Sequence, residues 1–256
     1  VLFRKLKLDA AIRYYEPDGT NINAHCGSTH LEALQKMVKD GGYDVGVAFD
    51  GDADRYLIVD DKGEVLDGDR IMAVCAVELK RQNKLRGNAF VATILSNMGL
   101  HAYAKQHGIS IECSNVGDRY VLEKMLEKGY ILGGEQSGHV IFLEYATTGD
   151  GELTAIQFLK MLKDSGKRAS EIAAEVGPWP QIMINVQVPT AMKYAISDRQ
   201  EVQDAIEKEK QGLGEGRILV RPSGTEPLVR VMVEGKDKDS VYKAAEAVAG
   251  VIESIL

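Results

Sequence analysis

A chain of 256 residues has room for one large or two to three small domains at roughly 100–200 residues each. With 45% hydrophobic and 27% charged residues it has the make-up of a globular protein, not of a disordered or fibrous one. Its 31 Lys and Arg against 38 Asp and Glu leave a net charge of −7, which argues against broad nucleic-acid binding and requires that any phosphorylated ligand be met by local cations.

Short apolar runs alternate with amphipathic stretches through the first two thirds, the pattern of α/β units around a largely parallel sheet. The opening residues predict a helix over 2–8 and a strand over 11–15 that stops at the turn Glu16-Pro17-Asp18-Gly19. A helix follows over 30–40, with Thr29 or Ser28 as N-cap and Glu32 completing a capping box. Strands are expected over 44–49 and 56–60, then a helix over 69–83, a strand over 88–94, a helix around 97–107 and a strand over 109–113. A helix over 118–128, strands over 130–133 and 140–143, and a helix from Gly151 to about Asp164 with Asp150 as N-cap complete this part.

Gly177-Pro178-Trp179-Pro180 reads as a linker. Beyond it, strand 181–188, helix 198–211, strands 217–221 and 228–234 and helix 239–255 give an α+β order with a central hairpin. The expected organisation is therefore two mixed-sheet α/β domains, 1–67 and 68–177, and a C-terminal α+β domain, 178–256.

No apolar run approaches the roughly 20 residues of a membrane span, and no long apolar stretch follows the basic start Val1–Lys7 as in a signal peptide. The 3 cysteines, Cys26, Cys75 and Cys113, are odd in number and widely spaced, so a reducing, cytoplasmic setting is expected. His25, Cys26 and His30 have no second Cys/His pair nearby and read as structural.

Three loops carry chemistry. In Phe49-Asp50-Gly51-Asp52-Ala53-Asp54-Arg55 a strand runs into three carboxylates at alternate positions before another strand begins. That spacing lets three oxygens converge on one hard cation, and Gly51 and Ala53 permit the curvature. An EF-hand does not fit: Arg55 stands where its Gly is required, Asp61 where its Glu is required, and the flanks are strands. A phosphatase with Asp50 as nucleophile and Asp52 as general acid stays open as an alternative.

The second loop, Gly134-Glu135-Gln136-Ser137-Gly138-His139, sets a carboxylate, a hydroxyl and an imidazole on flexible glycines, donors and acceptors suited to vicinal sugar hydroxyls. The third, Arg221-Pro222-Ser223-Gly224-Thr225-Glu226-Pro227, places an arginine, two hydroxyls and freed backbone amides around room for one tetrahedral anion. Arg230 stands on the returning strand.

Together, in this order, the three loops resemble the metal, sugar and phosphate loops of the α-D-phosphohexomutase superfamily. Asn21-Ile22-Asn23, Cys26–His30, Val116-Gly117-Asp118-Arg119-Tyr120 and Thr147-Thr148-Gly149-Asp150-Gly151 extend the likeness over essentially the whole chain. They bring it closest to members that act on glucosamine phosphates.

The resemblance implies interconversion of glucosamine 6-phosphate and glucosamine 1-phosphate through a bisphosphorylated sugar and a Mg²⁺-bound phosphoserine. Glucosamine 1,6-bisphosphate or glucose 1,6-bisphosphate would serve as activator, on the route to UDP-N-acetylglucosamine. It implies Asp50, Asp52 and Asp54 as metal ligands, Arg55 beside the transferring phosphoryl and His139 as an acid/base group. Glu135 and Ser137 would hold sugar hydroxyls; Arg221, Ser223, Gly224, Thr225 and Arg230 would hold the phosphate that does not react. Asp118 and Arg119 would line the cleft.

A mannose- or glucose-phosphate mutase is the alternative, as is a phosphosugar-binding role without turnover. Expected partners are a phosphorylated hexosamine and neither nucleic acid nor membrane. The superfamily's Ala-Ser-His-Asn-Pro type of serine loop is not among these residues. The expectation is thus a C-terminal portion without the phosphoserine domain and with the first of its three domains, 1–67, truncated, inactive as a mutase by itself.

Overall fold

The structure, a computed structural model, describes residues 2–224 and 226–256. In chain order the helices are α1 (Leu2–Lys5), α2 (Glu32–Gly41), α3 (Gly68–Arg81), α4 (Met98–Gln106), α5 (Asp118–Lys128), α6 (Gly151–Ser165), α7 (Ala169–Glu175), α8 (Gln200–Leu213) and α9 (Lys238–Ser254). The strands are β1 (Val45–Phe49), β2 (Tyr56–Asp60), β3 (Val65–Leu66), β4 (Ala89–Thr93), β5 (Ser110–Ser114), β6 (Leu132–Gly134), β7 (Val140–Phe142), β8 (Gln181–Gln187), β9 (Gly216–Pro222) and β10 (Leu228–Gly235). Two compact units result, one made of the chain up to Leu95 with Ile109–Glu175, the other of Ser96–Gly108 with Val176–Leu256.

The first unit holds two sheets. One is an antiparallel meander, β1-β2-β3, in which Phe49 pairs with Tyr56 across the loop that carries the three aspartates. The other runs β5-β4-β6-β7, with β4 parallel to both β5 and β6 and β7 antiparallel at the edge. The largely parallel expectation therefore describes the second sheet and not the first. Strand β4 is buried along its whole length, as befits an inner strand covered on both faces. Asp67 caps α3 by accepting from the Arg70 amide at 3.1 Å, and Asp150 caps α6 from Leu153 at 2.9 Å.

The second unit is an antiparallel sheet, β8-β10-β9, with α8 and α9 packed on it. Its core joins Val186 of β8 and Val229, Val231 and Val233 of β10 to Val241, Ala245, Val248 and Ile252 on one face of α9. Helix α4 belongs to this unit. Glu234 of β10 accepts from the Met98 amide at 2.8 Å and from Arg217 Nε at 2.8 Å. Asn97 holds the Trp179 backbone at both ends, its Oδ1 accepting from the Trp179 amide at 2.8 Å and its Nδ2 donating to the Trp179 carbonyl at 3.1 Å.

Three local expectations are corrected. Residues 11–15 form no strand; Tyr14 and Tyr15 are exposed and no partner strand pairs them among the described residues. Helix α2 starts at Glu32 behind Leu31, without a side-chain cap, and the Thr29 hydroxyl is instead 3.1 Å from His30 Nδ1. Strand β3 and helix α7, two and seven residues long, were not expected.

Candidate functional site

The carboxylate loop is the tip of the β1–β2 hairpin, closed on itself by backbone. The Arg55 amide donates to Asp50 Oδ1 at 3.2 Å and the Ala53 amide to the Asp50 carbonyl at 3.2 Å, with Ala53 in the left-handed region at φ 59°. This fold brings Asp50, Asp52 and Asp54 together, Asp52 exposed and the other two half-buried, so that one carboxylate oxygen of each lies within 4.8 Å of the others. Such crowding repels. Burial first, and then the neighbouring Asp50 and Asp52, push the Asp54 carboxyl above its ordinary value, against the pull of His139. Arg55 offsets part of the charge, with Nε 3.3 Å from Asp50 and 3.7 Å from Asp54. Asp54 Oδ1 is buried with no hydrogen-bond partner. Three convergent hard oxygens, with a buried and partnerless carboxylate oxygen on one of the same residues, fit a small divalent cation such as Mg²⁺.

The loop carrying Glu135, Ser137 and His139 joins β6 to β7 and abuts the carboxylate loop directly. Arg55 and His139 form an isolated antiparallel bridge, and the Tyr56 amide donates to the Gly138 carbonyl at 3.2 Å. Gly138 sits at φ 96°, and a Cβ there would drive into the Tyr56 carbonyl, so the approach of the two loops requires glycine. Glu135 is oriented from behind, its Oε1 accepting from the Gly117 amide at 2.8 Å while Ser137 Oγ stands 3.5 Å from Oε2. Gln136 reaches Asp67 at 3.2 Å, tying this loop to the start of α3.

His139 is buried, with Nε2 accepting from the Gly149 amide at 3.2 Å and lying 3.6 Å from Asp54 Oδ2. It lines a cavity of about 40 Å³ together with Asp118, Arg119, Leu122, Ile141, Thr147 and Thr148. Asp118 opens α5 behind Gly117, and Arg119 pairs with Glu123 one turn on at 2.8 Å.

The third loop, between β9 and β10, belongs to the other compact unit. Strand register places Arg221 opposite Arg230. Burial, and next the Arg230 guanidinium, lower the Arg221 pKa from its ordinary value. Two cations facing one another across a ladder favour an anion between them. Arg230 Nε is buried without a hydrogen-bond partner, while its Nη2 meets Glu226 at 3.1 Å. Ser223 is buried and its Oγ accepts from the Glu226 amide at 3.2 Å. Gly224 adjoins it at the tip, and Thr225 lies outside the described residues.

Sequence reasoning missed Lys193, which is buried and donates to the Glu226 carbonyl at 3.2 Å, bracing the loop from a segment with no motif of its own. It also gave no role to Gly149 and Gly151; the Gly151 amide donates to the Ala53 carbonyl at 2.9 Å, at the apex of the carboxylate loop.

Residues 5–63, 67–178 and 183–251 match the phosphoglucomutase/phosphomannomutase alpha/beta/alpha domain II, alpha/beta/alpha domain III and C-terminal domain. A phosphoglucosamine mutase of Ruminiclostridium cellulolyticum is 55% identical over 252 residues, which are 98% of this chain and 56% of that protein. One from Acetivibrio thermocellus is 53% identical over 257 residues, 100% of this chain and 57% of that protein. The chain thus spans little more than half the length of these curated relatives.

Among solved structures, a phosphoglucomutase/phosphomannomutase family protein of Burkholderia thailandensis has the same fold with TM-score 0.80 at 21% identity, over 99% of this chain and 56% of that one. Aspergillus fumigatus N-acetylphosphoglucosamine mutase, solved with GlcNAc-6P and magnesium, matches with TM-score 0.73 at 22% identity, over 91% of this chain and 53% of that one.

Proposed function

Because the chain belongs to the phosphoglucomutase/phosphomannomutase family, we propose that it supplies the metal, sugar and phosphate loops of a phosphoglucosamine mutase, interconverting glucosamine 6-phosphate and glucosamine 1-phosphate. The observation that carries the proposal is the convergence of the three aspartate oxygens beside the Glu135–His139 loop, bridged at Arg55 and His139.

In this reading Asp50, Asp52 and Asp54 hold Mg²⁺. When bound, the cation neutralises charge on the phosphoryl group in transfer. Arg55, already turned to Asp50 and Asp54, adds a fixed positive charge at the same place. Glu135 keeps acceptor capacity on an oriented carboxylate for the sugar hydroxyls, and Ser137 adds a hydroxyl beside it. Arg221, Ser223, Gly224, Thr225 and Arg230 hold the non-reacting phosphate. The name of the 55% identical relative supports glucosamine as the sugar. The activator in this reading is a bisphosphorylated hexose, glucosamine 1,6-bisphosphate or glucose 1,6-bisphosphate. Among the described residues no helix is long and apolar enough to cross a membrane; in this reading the phosphosugar substrate is met in the cytoplasm.

The test is to fuse this chain behind the unmatched portion of the R. cellulolyticum relative and compare rates on glucosamine, mannose and glucose 6-phosphates. Preference for glucosamine 6-phosphate, lost in Glu135→Ala, is expected; a preference for mannose phosphate overturns the assignment of the sugar. On the chain alone, calorimetry is expected to detect Mg²⁺ binding that Asp52→Asn weakens by roughly tenfold or more.

A further inference from the structure

The Thr147–Gly151 turn is a motif of the sequence to which the proposed reaction gives no part, yet it touches both the carboxylate loop and the Glu135–His139 loop. The Gly151 amide donates to Ala53 at 2.9 Å, Asp150 caps α6, and the Gly149 amide donates to His139 Nε2 at 3.2 Å. A Cβ at Gly149 would lie 2.7 Å from the Asp54 carbonyl oxygen and closer still to His139 Nε2. Only a residue without a side chain lets this backbone reach the ring edge.

Two groups compete for His139 Nε2. The Asp54 carboxylate, at 3.6 Å, is beyond hydrogen-bond length, whereas the Gly149 amide is within it. An amide N–H can only donate, so Nε2 must present its lone pair and the proton of the neutral ring must sit on Nδ1. Nδ1 is buried and has no hydrogen-bond partner, and the ring lines the small cavity shared with Asp118, Arg119, Thr147 and Thr148. A cavity of about 40 Å³ has room for a water or a single ligand oxygen.

We propose that Gly149 is a positioning residue: its backbone N–H locks His139 as the Nδ1-protonated imidazole, so that Nδ1–H is the donor offered to a sugar or phosphoryl oxygen in that cavity. The ligand class rests on the mutase reading given above; the ring's tautomer does not, and it is read without substrate, metal or turnover.

The experiment is long-range ¹H–¹⁵N correlation on the ¹⁵N-histidine-labelled full chain, recorded at a pH more than a unit above the ordinary imidazole value of about 6.5 so that the rings are neutral. Of the 5 histidines, His139 is assigned by the signals lost in His139→Gln. A single form is expected, with Nδ1 protonated and Nε2 bare. An Nε2-protonated ring, or a mixture of both forms, overturns the proposal. In a folded Gly149→Ala variant the single form is expected to give way to a mixture or to the Nε2-protonated ring. Retention of the Nδ1-protonated form there overturns the role of Gly149, and the unsubstituted chain decides the tautomer even if that variant does not fold.

Discussion

Glu234 is a carboxylate with 0% of its surface exposed, held by Arg217 Nε and the Met98 amide. Burial raises its pKa above the ordinary 4.5, and Arg217 and the amide pull in the opposite direction. Removing the guanidinium in Arg217→Met strands the carboxylate and is expected to cost roughly 3–5 kcal/mol in urea denaturation, whereas Glu234→Gln, which keeps an acceptor oxygen in place, costs less. The pH dependence has a definite sign. A folded-state value above the unfolded one means that the native state binds the proton more readily, so this group's contribution is full below pH 4.5 and is lost as pH rises through the raised value. Stability curves over the mildly acidic range should show that decline in the unsubstituted chain and a flatter line in Glu234→Gln. Nothing in the sequence marked Glu234, since a single acid in an apolar strand becomes informative only once its partners, more than 100 residues away in the case of Met98, are known.

At the scale of elements, what could be read in advance is what local chemistry decides. Strand β2 and helix α5 begin and end where periodicity and flanking turns place them, and the Asp50–Arg55 hairpin tip follows from a strand, alternate carboxylates and a strand. Residues 11–15 failed for the opposite reason: β-favouring residues without a neighbour to pair with gain nothing from extension. Helix α7 escaped because seven residues carry too little periodicity, and it is instead fixed from outside by Asp61, which accepts from the Ser170 amide at 2.8 Å and its hydroxyl at 3.1 Å. Asp67 shows how an element end can serve two purposes, capping α3 and receiving Gln136 of the Glu135–His139 loop. Asp67→Ala should cost about 1–2 kcal/mol by thermal denaturation. It should also weaken glucosamine 6-phosphate binding in calorimetry, while Asp67→Asn, which retains an acceptor oxygen, should restore most of the stability.

At the scale of the whole molecule, the C-terminal unit is discontinuous, taking Ser96–Gly108 from within the stretch matched to domain III. Residues 176–256 made separately would lack Asn97, Met98 and the Ser96 carbonyl that receives Arg217. That piece is expected to unfold at lower urea concentration than the same unit within the full chain. Trp179, the single tryptophan, sits against Asn97 and reports the difference by fluorescence.

This threading also bears on how such chains can be recombined. A hybrid of two relatives joined at Gly177–Pro180 would draw Glu234 and Arg217 from one parent and Asn97 and α4 from the other. Whether it folds would turn on the match of those few polar groups, however well each parent's sheets were preserved.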